Sequence, residues 1–150
     1  MRTLHVGLLV EELERSLEFY ESLGYEVVGT VAETELGDLT MLKLDDDDAV
    51  SLELVHQPNA GRVDPRGLSH LVIQVEDLSR TVDRLRTRGI EVNQPSSPDG
   101  SDDFWTTTLT DPDGYRIELV QWPVGHADGM TSADFQGHAP PAGQPPEQTP

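Results

Sequence analysis

Two histidines and two glutamates stand out because they recur at one spacing. His5 and His70 are 65 residues apart, and so are Glu53 and Glu118. Neutral imidazole and ionised carboxylate are donors suited to Ni²⁺, Co²⁺, Zn²⁺ or Mn²⁺, and four protein donors leave two octahedral positions open for substrate oxygens. An ion held that way is a Lewis acid, and a carboxylate beside it can carry a proton. Taken singly, each His is an ordinary strand histidine and each Glu a solvent-facing strand residue. The pair repeated at one offset favours the metal reading, because strand patterning demands hydrophobes at such spacings and not these residues.

The spacing belongs to an internal repeat. "HVGLLVEELERSLEFYESLGYEV" from His5 aligns without a gap on "HLVIQVEDLSRTVDRLRTRGIEV" from His70, and "SLELV" at 51–55 falls on "RIELV" at 116–120. Each half reads as strand, helix and three strands. Residues 3–10 and 68–75 are short apolar runs rich in β-branched residues. The helical patterns that follow carry the stripes Leu13, Leu17, Tyr20 and Leu78, Val82, Leu85, and stop at Gly24 and Gly89. Three strands are then expected in each half: "YEVVGTVAE", "TMLKLDD" and "AVSLELVHQ", then "IEVNQP", "FWTTTLTD" and "YRIELVQW", with "DDDDA" and "DPDG" as equivalent turns. Alternation puts His5, Gly7 and Leu9 on one face, and Ser51, Glu53 and Val55 on the corresponding face of the last strand. The second half repeats this with His70, Val72, Gln74 and Arg116, Glu118, Val120. The fold expected is α+β, two βαβββ modules in tandem forming a curved mixed sheet with helices on its outer face and the four residues on its free face.

Composition limits the partners. The chain of 150 residues has 10 basic and 28 acidic side chains, a net charge of −18, and a single lysine, Lys43. Such a field repels phosphate backbones and anionic lipid, so neither nucleic acid nor a membrane surface is an expected partner. The absence of cysteine excludes disulfides, thiol catalysis and zinc ribbons. No secretory signal or membrane span is read at the start, which makes a soluble cytoplasmic protein the expectation. Residues 1–122 form the expected domain, with modules at about 3–56 and 67–122 and residues 57–66 linking them. From Pro123 the chain is rich in Pro, Gly and Ala, and 123–150 is expected to be a largely disordered or surface-draped tail whose His126 and His138 are solvated.

The motifs "LH" at 4–5, "RSLEFY" at 15–20 with Leu23 and Gly24, "LELV" at 52–55, "SHLVIQVED" at 69–77 and "DPDGYRIEL" at 111–119 carry a family likeness. The chain resembles the vicinal oxygen chelate superfamily of glyoxalases, bleomycin resistance proteins and dioxygenases, and within it the bacterial metal-dependent glyoxalase I branch, the lactoylglutathione lyases. The resemblance implies that His5, Glu53, His70 and Glu118 are ligands of one divalent metal. It also implies isomerisation of a hemithioacetal of methylglyoxal or a related dicarbonyl through a metal-stabilised enediolate, with Glu118 as first candidate for the base and Glu53 as its pseudo-twofold partner. A homodimer is implied as well, in which His5 and Glu53 of one chain meet His70 and Glu118 of the other. Two positions depart from the family pattern: Leu9 stands where a glutathione-binding arginine is expected, and Gln57 where an asparagine is. The thiol cosubstrate is therefore open. Arg116, Gln74 and Trp105 are candidate substrate contacts or ordinary strand surface. The alternatives within the superfamily are a small-molecule binding or sequestration protein, a dioxygenase and an epimerase.

Overall fold

The computed structural model describes residues 1–58, 61–126, 129–131 and 134. In the first module, β1 (Val6–Val10) leads into α1 (Leu13–Leu23), then β2 (Glu26–Thr34), β3 (Gly37–Lys43) and β4 (Leu52–His56). A short 3-10 turn, Pro65–Gly67, opens the second module, which runs β5 (Leu71–Gln74), α2 (Leu78–Thr87), β6 (Trp105–Thr110) and β7 (Arg116–Gln121). The strands form two sheets, ordered β1-β4-β3-β2 and β5-β7-β6.

The repeat is preserved in the hydrogen-bond register. β1 pairs in parallel with β4 so that Gly7 opposes Glu53 and Leu8 opposes Leu54; β5 pairs in parallel with β7 so that Val72 opposes Glu118 and Ile73 opposes Leu119. One strand departs from expectation. The segment "IEVNQP" makes only one isolated bridge, Val92 to Leu109, and Ser96 just beyond it makes a second, to Thr106, so the second sheet has three strands. Pro95 supplies no N–H for a ladder at that point, and the chain bypasses the Gln94–Pro95 step between its two bridges.

Alternation places Leu8 and Val10 of β1, Leu42 of β3 and Leu52 and Leu54 of β4 in the core, all at 3% exposure or less. α1 buries Ser16, Phe19, Tyr20 and Leu23 while Leu13 and Leu17 are only partly buried, so its inner stripe is rotated from the one expected. α2 buries Leu78, Val82 and Leu85 as its spacing predicts. The Asp77 carboxylate caps α2 by accepting the Arg80 N–H, and Gly24 ends α1 at a φ of 110°, a left-handed conformation that favours glycine.

The two modules are tied by the motifs that carried the family likeness. Arg15 Nη2 lies 2.7 Å from Asp113 Oδ1, the Ser16 hydroxyl donates to Asp113 Oδ2 at 3.0 Å, and the Tyr20 hydroxyl donates to Asp111 Oδ2 at 2.8 Å. Asp111 Oδ1 accepts the N–H groups of Asp113 and Tyr115, which closes the "DPDG" turn. Burial raises the pKa of the Asp111 carboxyl despite these hydrogen bonds, and burial followed by the Asp111 charge pushes the Tyr20 hydroxyl up as well.

Beyond β7 the described tail residues lie on the surface with specific partners. Trp122 stacks on Phe104 at 5.1 Å and on His126 at 4.5 Å between ring centroids. His126 Nε2 lies 2.9 Å from Asp134 Oδ1, so this histidine is partnered and not simply solvated. His138 and the remainder of the expected tail lie outside the described residues. Among the described residues no helix is long and apolar enough to cross a membrane.

Candidate metal and substrate site

His5 and His70 each sit one residue ahead of a strand, not within it as the apolar runs suggested. The ladders begin at Val6 and Leu71, and the Val6 N–H is the first to reach across, donating to Ser51 O at 3.2 Å. From there each imidazole meets the glutamate of its own module. His5 Nε2 is 3.6 Å from Glu53 Oε2, and His70 Nε2 is 3.4 Å from Glu118 Oε2. Ser69 Oγ lies 3.0 Å from His70 Nδ1, which restrains the ring and leaves Nε2 toward the carboxylate. The four residues do not converge within one chain: among the described residues there is no group of three or more His, Asp or Glu placed to hold a metal ion. Each module thus presents one His/Glu pair.

The halves differ in depth. The Glu53 side chain is 10% exposed and that of Glu118 is 29% exposed. Gly7 lies opposite Glu53, and a Cβ there would meet Glu53 Oε1 at 3.4 Å and Val55 Cγ2 at 3.6 Å, ordinary contact distances. Neutral imidazole nitrogen with carboxylate oxygen is a donor pair suited to a divalent transition metal, and both pairs are partly open to solvent. The residues present fit such an ion.

The surroundings of each pair follow from register. Glu53 is flanked by Gly7 on β1 and Met41 on β3; Glu118 is flanked by Val72 on β5 and Thr108 on β6. The free face of the second sheet therefore carries a column of threonines, Thr106, Thr108 and Thr110, beside Arg116, Glu118 and Val120. This column escaped the sequence reading, although "TTTLT" read with period two would have revealed it. Arg116 and Gln74 lie on the free face, as alternation required. Trp105 does not: its indole N–H donates to Asp102 O, and the ring lines a cavity of about 540 Å³ with Leu78, Val82 and Pro95 on the helix side.

Tandem βαβββ-type modules, each with a helix over one face and a His/Glu pair on the other, define the structural class. The chain belongs to the Glyoxalase/Bleomycin resistance protein/Dioxygenase superfamily, whose profile matches residues 2–119. It is 32% identical over 130 residues to the lactoylglutathione lyase of Neisseria meningitidis serogroup A, covering 83% of this chain and 94% of that protein. Among solved structures it is similar to the trypanothione-dependent glyoxalase I of Leishmania major, with a TM-score of 0.67, 28% identity, and coverage of 81% of this chain and 86% of that one. A bleomycin-binding protein solved with bleomycin shares the fold at a TM-score of 0.58 and 21% identity, covering 81% of this chain and 98% of the other.

Proposed function

We propose that the protein is a metal-dependent glyoxalase-type lyase that isomerises a hemithioacetal of methylglyoxal or a related dicarbonyl. The observation that carries this reading is the His/Glu pair repeated in the same register on both modules, at 3.6 and 3.4 Å. The functional site is completed between chains of a homodimer, where His5 and Glu53 of one protomer face His70 and Glu118 of the partner subunit. When bound there, a divalent ion supplies Lewis-acid stabilisation of the negative charge that develops on the substrate's vicinal oxygens.

The chain's own residues do the rest. His5 and His70 offer Nε2 as donors, and Ser69 orients the second ring. Glu118, the more exposed carboxylate, removes the proton from the carbon bearing sulfur and hydroxyl and returns it to the neighbouring carbon. One C–H bond breaks and another forms, the proton of the hydroxyl on the sulfur-bearing carbon passes to the neighbouring oxygen, and the hemithioacetal leaves as an isomeric 2-hydroxy thioester. Glu53, tucked beside Gly7, is the fixed ligand that holds its orientation throughout.

The test is metal analysis of protein purified without chelator or affinity tag, followed by absorbance assay of hemithioacetal isomerisation. Stoichiometric divalent metal, and activity abolished by chelation and restored by readdition, are expected. Metal-free protein without turnover that tightly binds a small apolar molecule would replace this reading with sequestration.

A further inference from the structure

The free faces of the two sheets are equivalent in the repeat but opposite in chemistry. Beyond Glu53, the ladder sets Leu9, Val55, Leu39 and Val31 side by side across all four strands of the first sheet. Leu9 is 44% and Val31 48% exposed, with Val55 at 8% between them. At the usual strand spacing this is an apolar strip about 14 Å long. The adjoining row is Gly7, Glu53, Met41 and Gly29, so glycine flanks it at both ends. In the second sheet the matching row is Gln74, Val120 and Thr106, and there the Gly129 N–H donates to Gln74 Oε1 at 3.2 Å. That row is polar and is met by the chain's own tail. Among the described residues the strip on the first sheet is apolar, with Leu9 and Val31 exposed at its ends.

We infer that this strip seats the large substituent of the substrate, and that the substrate is a hemithioacetal whose thiol portion is apolar and uncharged. The inference rests on the reaction proposed above. Exposed leucine and valine beside a ligand carboxylate gain free energy from an apolar occupant and not from a charged one. A carboxylate-bearing thiol laid on the strip would lose water against Leu9, Leu39 and Val31 with no cation in the row to replace it. Lys43 lies on the far side of Glu53, opposes Glu26 in register and donates to the Asp47 carbonyl at 3.4 Å. The net charge of −18 adds a long-range penalty for any anion.

Isothermal titration with two inert thioethers separates the inference from the reaction. The probes are a neutral phenylalkyl thioether and S-methylglutathione, with wild type, Leu9→Arg and Leu39→Thr, each shown by circular dichroism to be folded. The neutral thioether is expected to bind wild type roughly tenfold more tightly than S-methylglutathione, and Leu9→Arg to reverse that order. Tighter binding of S-methylglutathione to wild type, neutral-thioether affinity unchanged in both variants, or no binding of either probe would each overturn the inference. Neither probe can react. The expected binding order without turnover of any hemithioacetal therefore upholds the apolar seat and removes the proposed reaction, whereas the opposite order with rapid turnover of the glutathione adduct removes the seat and keeps the reaction.

Discussion

Glu53 and Glu118 hold the same register position in their modules, yet one side chain is 10% exposed and the other 29%. A base must reach a substrate carbon, whereas a ligand needs only to hold still, so under the proposed mechanism accessibility assigns the base to Glu118 and the fixed ligand to Glu53. Glu118→Gln keeps an oxygen donor of similar shape but cannot accept the proton. At confirmed full metal occupancy its turnover should fall by about 10² to 10⁴, the usual contribution of a positioned base, and Glu53→Gln should lose less. Turnover and solvent-deuterium incorporation in both variants decide the matter, and a larger loss in Glu53→Gln reverses the assignment. His5→Ala and His70→Ala should each lose metal with little change in melting temperature, because both rings lie outside the core and precede their strands. Metal content by elemental analysis checks this, and full occupancy in both variants would sink the ligand assignment. These four residues were legible in the sequence because the repeat exposes them at one offset. Their failure to meet within one chain could be expected only from the family resemblance, since an offset fixes register inside each module and says nothing of how the two free faces are oriented.

At the scale of elements, α1 and the β6–β7 turn behave as one unit. Asp113 is fully buried on its side-chain atoms and serves both Arg15 and the buried Ser16 hydroxyl. Asp113→Ala should destabilise the fold by about 2–3 kcal/mol, toward the lower end of the range for a broken buried pair, because Arg15 is 40% exposed and can regain water. Urea denaturation measures it. Asp111 gives a different signature. Its folded pKa lies above the ordinary carboxylate value, so the folded protein holds this proton to higher pH than the unfolded chain does. Stability linked to that proton is complete at low pH and declines as pH rises through the raised value. Asp111→Asn should therefore gain stability relative to wild type on going from about pH 4 to pH 7, read as the difference in urea midpoints. A constant difference would mean that the carboxyl titrates alike in both states. The helices and most strands were predictable from hydrophobic period and glycine stops. Two features were not: period could not foresee that Pro95 reduces a strand to two bridges, or that Ser16, a polar residue, faces inward to meet a carboxylate from the other half.

For the whole molecule, charge opposes the proposed pairing of chains. A net charge of −18 on 150 residues opposes both compaction and pairing of like chains. Raising ionic strength from about 0.05 to 0.5 M shortens the Debye length from above 10 Å to below 5 Å, and should raise both the melting temperature and the dimer fraction. Light scattering across that salt range tests the assembly; a strict monomer that still binds stoichiometric metal would rule out the intersubunit site. The cross-module ties carry a further consequence. α1 of the first half supplies Arg15, Ser16 and Tyr20 to a turn of the second, the Glu11 N–H donates to Asp113 Oδ1, and Arg88 Nη1 reaches Ser22 O. Sequence symmetry thus conceals mutual dependence. Cut in the linker, the two halves should each remain unfolded when produced alone and should reassemble when produced together, so the chain behaves as a split protein whose recombination could report the meeting of two fused partners.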